Sequence, residues 1–81
     1  MELKGRQALV VGLARTGAAA ARFLAARGAR VAVSELKPEP AVAAGAAALR
    51  PFGVTVRCGG HDEADFLAAD LIVLSPGIPL N

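Results

Sequence analysis

The sequence predicts an α/β fold, in which helices flank a parallel β-sheet. Short apolar runs rich in Val, Leu and Ile alternate along the chain with alanine-rich segments of helical character, and glycine or proline separates the two kinds of segment. Consecutive strands in such a chain are expected to run parallel, because each intervening helix returns the chain to the same edge of the sheet.

A β-α-β unit is predicted at the start of the chain. Residues 7–12, QALVVG, form an apolar run that ends at glycine, which is typical of a strand buried on both faces. Residues 16–27 follow a helical pattern, and Gly28 supplies the C-terminal stop. Residues 29–35, ARVAVSE, alternate valine with smaller or polar residues and are predicted to form the second strand.

Proline marks the bounds of the next helix. Pro38 and Pro40 favour a helix start, and Pro51 prevents the helix from continuing. Residues 53–57, GVTVR, then have the composition of a third strand. Together these segments extend the alternation of strand and helix by one further unit.

A short helix and a fourth strand complete the pattern. Asp62 is a good N-cap, and Asp65 three residues later resembles a capping box for a helix over residues 63–69. Residues 71–74 are apolar throughout, so we expect this strand to be covered on both faces and paired along both edges. The expected fold is therefore a Rossmann-like sheet truncated after about four strands, and residues 1–81 are interpreted as an incomplete N-terminal domain of a longer protein.

The composition limits the possible functions. Nine Lys and Arg oppose seven Asp and Glu for a net charge of +2, with no basic run, which makes nucleic acid a weak hypothesis. Cys58 is the only cysteine, so the chain forms no internal disulfide, and a reducing cytoplasm is expected. We find no targeting or membrane segment, no metal-ligand cluster and no catalytic nucleophile paired with a base.

The turn GLARTG is the most informative motif. Gly12 permits a sharp exit from the strand, and Gly17 allows the helix to pack closely on the sheet. Between them the backbone N–H groups of Ala14, Arg15 and Thr16 are expected to face an anion at the helix N-terminus, which suits a phosphate. Ala14 occupies the position of the second glycine in G-x-G-x-x-G, and its methyl group leaves less room for a dinucleotide. A tight turn without a ligand is the alternative.

An acidic residue and a second loop accompany this turn. Glu35 ends the second strand about 20 residues after the turn, where a carboxylate is expected to accept hydrogen bonds from a ribose or a base and to repel a 2′-phosphate. Ser75 and Gly77, in SPGIP, follow the fourth strand and would form the second wall of the same crevice, although a simple turn is the favoured interpretation for that loop alone. His61 is interpreted as a solvated loop residue remote from this edge, and Cys58 as a residue without a role in the site.

These motifs in combination resemble the N-terminal domain of the Mur ligase family. The resemblance rests on GLARTG after the first strand, the acid that ends the second strand, and ADLIVLSPGIP, and it covers essentially all 81 residues. It implies a site for the UDP part of a nucleotide-sugar substrate, with three groups of residues around it. The pyrophosphate would be held by Ala14, Arg15, Thr16 and Gly17, the uracil would be surrounded by Glu35, Leu36 and Lys37, and the other side would be closed by Ser75, Pro76 and Gly77.

The resemblance also implies an activity for the whole protein. It would be a cytoplasmic, monomeric enzyme that binds ATP and magnesium in another domain and joins D-glutamate to UDP-N-acetylmuramoyl-L-alanine in peptidoglycan synthesis. None of the catalytic groups is expected in this chain. Two alternatives remain open at this point: the NAD-binding domain of a dehydrogenase, and a regulatory domain that senses a nucleotide.

Overall fold

The computed structural model describes residues 2–74, and the predicted site residues Ser75, Pro76 and Gly77 lie outside that range. Four strands alternate with three α-helices, and a short 3₁₀ helix, Arg50–Phe52, follows the second of them. In chain order the elements are β1 (Gln7–Val11), α1 (Arg15–Ala26), β2 (Arg30–Glu35), α2 (Glu39–Leu49), β3 (Thr55–Cys58), α3 (Glu63–Ala68) and β4 (Leu71–Leu74).

The strands form one parallel sheet in the order β3-β2-β1-β4. Val10 of β1 lies opposite Val33 of β2 on one side and Val73 of β4 on the other. The sheet is extended from β1 in both directions, so that β1 and β2 are its central strands. The predicted α/β fold is confirmed, with element bounds within two residues of those expected from the sequence.

The core lies between one face of the sheet and helices α1 and α2. Alternate residues of the central strands point into it, among them Val10 and Val33, which are fully buried. The helices contribute Ala21 and Ala46, both also fully buried. Alanine at these two positions lets the helix backbones approach the sheet closely, which accounts for a core built with few large side chains.

The opposite face of the sheet is covered only in part. Leu9 and Val11 are buried there, and α3 contacts β1. Their register partners on β4, Ile72 and Leu74, are 46% and 70% exposed. Within residues 2–74, β4 therefore pairs with β1 alone and is covered on one face. The second pairing and the second covered face that we expected are not supplied by these residues.

Helix α3 begins as predicted, but its capping arrangement differs. The Asp62 carboxylate accepts a hydrogen bond from the Ala64 N–H at 2.9 Å, which confirms the N-cap. The carboxylate of Asp65 does not return to the cap as in a capping box. Its buried Oδ2 atom lies 3.2 Å from Nε of Arg57 on β3, so an ion pair ties the helix to the sheet instead.

Leu49, at the end of α2, provides a test of this core. We expect Leu49→Ala to lower the free energy of unfolding by about 2–5 kcal/mol, because the side chain is 1% exposed and its removal leaves a cavity. Urea denaturation followed by far-ultraviolet circular dichroism measures the change. Leu67→Ala is the matched control, since Leu67 is 78% exposed and its loss should cost less than about 0.5 kcal/mol. Equal losses in the two variants would contradict this assignment of the core.

Candidate functional site

The loop between β1 and α1 turns sharply at the carboxyl edge of the sheet. Gly12 adopts a positive φ of 97°, and its N–H donates to the Ser34 carbonyl at 2.8 Å, so the strand is held to β2 until the turn. Ala14 follows as the N-cap of α1, with φ −78° and ψ 174°. This is ordinary extended backbone that any residue adopts. An alanine in place of the second glycine of the motif therefore causes no backbone strain.

The N-terminus of α1 has no cap among the residues that the structure describes. Within residues 2–74, no side chain caps the helix, and its first turn contains no acidic residue. Residues 2–74 provide no hydrogen-bond acceptor for the backbone N–H groups of Arg15, Thr16 and Gly17. Such N–H groups carry the partial positive charge of a helix N-terminus, and together they form a site suited to an anion.

The Glu35 carboxylate connects two loops. Its Oε1 atom accepts the Leu13 N–H at 2.6 Å, and its Oε2 atom accepts the Lys37 N–H at 2.9 Å. The residue is only 8% exposed. Bonds between an ionised acceptor and backbone N–H groups are stronger than neutral ones. Glu35, which is predicted to bind a ribose or a base, therefore also acts as an internal brace: it holds the β1–α1 loop and the turn after β2 together.

The same contacts determine the ionisation of Glu35. Burial acts to raise the pKa of the carboxyl group, but the N–H groups of Lys37 and Leu13, with the charges of Lys37 and His61, outweigh burial and hold the pKa below its ordinary value. The ionised form is thus favoured by the fold. A carboxylate that accepts two backbone donors in this way is built into the site as an anion.

A third loop, between β3 and α3, lies against the turn formed by residues 35–37. The Gly59 N–H donates to the Lys37 carbonyl at 2.8 Å, and the Gly60 N–H donates to the Glu35 carbonyl at 3.3 Å. Both glycines have positive φ, 88° and 148°, a conformation that other residues rarely adopt. This loop was not among the predicted site residues, although two consecutive glycines after a strand are a signal for it.

The interpretation of His61 as remote from this edge is wrong. Its Nδ1 atom forms a hydrogen bond with the hydroxyl of Ser34, a fully buried residue of β2 next to Glu35. The imidazole also meets the ring of Phe66 edge to face, with 6.0 Å between the centroids. A serine buried in a strand requires a hydrogen-bond partner, and that requirement was the available signal.

Cys58 has surroundings that oppose reactivity. It lies at the end of β3, opposite Glu35 in the register of the sheet. Burial raises the pKa of its thiol, and the carboxylates of Glu39 and Glu35 raise it further, against a smaller opposite effect of Arg50. The thiol form is therefore favoured, whereas nucleophilic cysteines require the thiolate.

The predicted site residues divide into two groups. The structure brings the loop that contains Ala14–Gly17 and the turn that contains Glu35–Lys37 to one edge of the sheet, where the Glu35 carboxylate joins them. The side chain of Leu36 is 67% exposed beside that carboxylate. The second group, Ser75, Pro76 and Gly77, follows β4, which ends at Leu74 opposite Val11 of β1.

Neither a metal-ligand cluster nor a membrane-spanning helix is found among the residues that the structure describes. Among residues 2–74, no group of three or more His, Cys, Asp or Glu side chains is placed to hold a metal ion. No helix in the same range is long and apolar enough to span a bilayer.

Glu35→Gln tests the brace through its pH dependence. The lowered pKa means that the stabilisation from ionised Glu35 is complete above its ordinary value of 4.5 and is lost as the pH falls through the folded-state value. Glutamine offers one acceptor oxygen instead of two, so near pH 7 we expect a loss of about 1–3 kcal/mol in the free energy of unfolding. The difference in the free energy of unfolding between Glu35→Gln and the wild type should become smaller below pH 4.5.

The matched control is Glu39→Gln, which removes the charge of an exposed residue paired with Arg50. An exposed ion pair contributes little, so this variant should stay within about 1 kcal/mol of the wild type at all these pH values. Urea denaturation across the pH series measures both variants. If the loss in the free energy of unfolding of Glu35→Gln does not change with pH, the ionised Glu35 carboxylate is not what stabilises the two loops.

Comparison with known proteins identifies relatives along the whole chain. The family described as "Mur ligase MurD-like, N-terminal domain" matches residues 6–81. The "UDP-N-acetylmuramoylalanine--D-glutamate ligase" of Geotalea daltonii is 51% identical over 81 residues, which is 100% of this chain and 18% of that protein. The protein of the same name from Anaeromyxobacter dehalogenans is 57% identical over 79 residues, covering 98% of this chain and 17% of the relative. The chain thus spans about a fifth of the length of these relatives.

Solved structures with a similar fold are more distant in sequence. SirC, a precorrin-2 dehydrogenase, matches with a TM-score of 0.71 and 23% identity, over 96% of this chain and 38% of that one. The flavoprotein disulfide reductase RclA from Escherichia coli matches with a TM-score of 0.68 and 21% identity, over 88% of this chain and 21% of that one. These likenesses concern the fold alone. The family match and the close relatives confirm the resemblance seen in the sequence, and they show that the chain belongs to the MurD-like N-terminal domain family of the Mur ligases.

Proposed function

We propose that residues 1–81 are the UDP-binding, N-terminal part of an ATP-dependent ligase that adds D-glutamate to UDP-N-acetylmuramoyl-L-alanine in peptidoglycan synthesis. One observation carries the proposal: residues 2–74 leave the N-terminus of α1 uncapped at the carboxyl edge of the sheet, in a chain whose relatives bear the name of that ligase. In open α/β sheets this edge is where ligands bind.

The pyrophosphate is assigned to the N-terminus of α1. The N–H groups of Ala14, Arg15, Thr16 and Gly17 lie in the first turn or just before it, and Thr16 adds an exposed hydroxyl. Arg15 is exposed and provides a cation beside the phosphates. Backbone donors, a hydroxyl and a guanidinium together are suited to the charge and to the several acceptor oxygens of a diphosphate.

The uracil is assigned to the turn that contains Glu35, Leu36 and Lys37. Each oxygen of the Glu35 carboxylate already accepts one N–H, but a carboxylate oxygen has a second lone pair, so the group is able to accept from the base as well. The exposed side chain of Leu36 offers apolar surface to the ring. Ser75, Pro76 and Gly77 are assigned to the opposite wall.

The reaction itself is assigned to the rest of the full-length enzyme. ATP phosphorylates the terminal carboxylate of UDP-N-acetylmuramoyl-L-alanine, the amine of D-glutamate attacks the resulting acyl phosphate, and phosphate leaves as the amide forms. ATP and magnesium belong to that part, and this chain contributes no catalytic residue. Its role is to hold the UDP end of the substrate, so that binding energy at a remote group orients the reacting carboxylate. We place this enzyme in the cytoplasm as a monomer, without a nucleic-acid or membrane partner.

A dehydrogenase or a regulatory nucleotide sensor is the rival proposal. The similarity to SirC and RclA concerns the fold at 23% and 21% identity, whereas the ligase relatives are about 50% identical over nearly the whole chain. The sequence relationship therefore favours the ligase. A sensor domain would bind its nucleotide at the same helix N-terminus, so the identity of the ligand distinguishes a sensor from the ligase.

Titration with UDP and with NAD distinguishes these proposals directly. We expect UDP to shift the backbone amide resonances of Thr16 and Lys37, because the diphosphate and the base contact the two loops that contain them. NAD at the same concentration should leave both resonances unchanged. Shifts with NAD and none with UDP would contradict the proposed function.

Thr16→Ala tests the placement of the pyrophosphate. Loss of a hydroxyl that binds a charged oxygen costs about 1.5–3 kcal/mol, so UDP should bind about tenfold to a hundredfold more weakly. UMP lacks the second phosphate and should lose less affinity. Isothermal titration calorimetry measures both. Thr55→Ala is the matched control, because Thr55 is exposed at the start of β3, away from the carboxyl edge of the sheet. Equal losses for UMP and UDP would place the second phosphate elsewhere.

A further inference from the structure

The turn that is assigned to the uracil has a neighbour on the side away from the phosphate loop. Gly59 and Gly60 of the β3–α3 loop donate to the carbonyls of Lys37 and Glu35, so this loop forms the outer support of the turn. Two consecutive glycines leave the loop with high conformational freedom. Two backbone hydrogen bonds are a modest restraint on such a loop, and a further contact is needed to hold one conformation.

His61 supplies that contact directly after the glycines. Its Nδ1 atom is hydrogen-bonded to the Ser34 hydroxyl, and Ser34 is fully buried one residue before Glu35. The hydroxyl is able to donate to an unprotonated Nδ1 or to accept from a protonated one, so the contact is compatible with either state of the imidazole. Phe66 of α3 packs edge to face against the same ring. The histidine thus links β2, the β3–α3 loop and α3.

The position of His61 separates it from the core. As a residue it is exposed, and it is not a member of the cluster of buried apolar side chains. Its contacts therefore add order to one loop more than they add buried area. Among residues 2–74, it is the side chain that fastens this loop to β2.

We infer that His61 is a positioning residue for nucleotide binding: its hydrogen bond to Ser34 holds the β3–α3 loop against the Glu35–Lys37 turn in the conformation that receives the uracil ring. The inference rests on the proposed uridine site. Without the bond, the glycine loop and the turn sample more conformations, and binding has to restrict them again. We expect the loss of this bond to weaken the contacts with the uracil base and to leave the contacts with the phosphates unchanged.

Binding of UMP and UDP to the full-length protein, measured by calorimetry, tests this inference. We expect His61→Ala to weaken the binding of both ligands by the same factor, about threefold to tenfold, since one side-chain hydrogen bond is lost. Ser34→Ala should cause a similar loss. The double variant should be no weaker than either single variant, because both changes remove one shared contact.

Two further variants separate positioning from general disorder. His61→Asn keeps a side-chain hydrogen-bonding group near the position of Nδ1, and it should retain most of the affinity. Asp62→Ala removes the N-cap of α3 but leaves the Ser34–His61 contact, so it should bind UMP and UDP as the wild type does. Amide hydrogen exchange at Gly59 and Gly60 without ligand should accelerate in His61→Ala and not in His61→Asn.

The outcomes are separable. If the wild type does not bind UDP, the proposed function fails. If the wild type binds UDP and His61→Ala and Ser34→Ala bind it equally well, the inference about His61 fails and the uridine site stands. A loss in Asp62→Ala as large as that in His61→Ala would also overturn it, because the order of α3 would then be the cause. Should His61→Ala fail to fold, the inference is tested by the other two variants: Ser34→Ala should bind UDP more weakly, and His61→Asn should retain most of the affinity.

Discussion

The candidate site depends on one carboxylate with two backbone donors. Glu35 holds the N–H of Leu13 on one side and that of Lys37 on the other, at 2.6 and 2.9 Å. Leu13 lies in the β1–α1 loop, and Lys37 lies in the turn after β2, so a single side chain links the two loops. The carboxylate itself is positioned by the end of a central strand. The sheet therefore sets the positions of the two loops relative to each other through Glu35.

This arrangement changes the meaning of an acid at the end of the second strand. In the sequence such a residue indicates recognition of a ribose or a base. The structure shows that the same residue also supports the fold, since its two oxygens satisfy two backbone donors. The ionised form of Glu35 is favoured before any ligand arrives. In the proposed function, recognition of the nucleotide and the order of the loops are thus coupled through one carboxylate.

The sequence predicts what local chemistry determines. Gly12 and Gly28 mark turns because their backbones need positive φ, and Asp62 marks a helix start because its carboxylate caps the first turn. The sequence does not predict which partner a polar side chain has in the folded chain. The bond between Ser34 and His61 spans 27 positions, and the ion pair between Arg57 and Asp65 replaces a local alternative that was equally compatible with the sequence. Such pairings depend on the register of the sheet, which only the folded chain provides.

In the proposed function, this segment supplies no reacting group and contributes to the reaction by holding its loops in fixed positions. The substrate in the proposed reaction is long, and its carboxylate is far from the uridine end, so positional error at the nucleotide is carried to the reacting atoms. In this chain three loops are joined at one edge: Glu35 ties the first to the second, and Gly59 and Gly60 tie the third to the second. Each tie is made before the ligand binds. The entropy cost of ordering the site is thereby met in folding, which leaves more of the binding energy for orientation of the substrate.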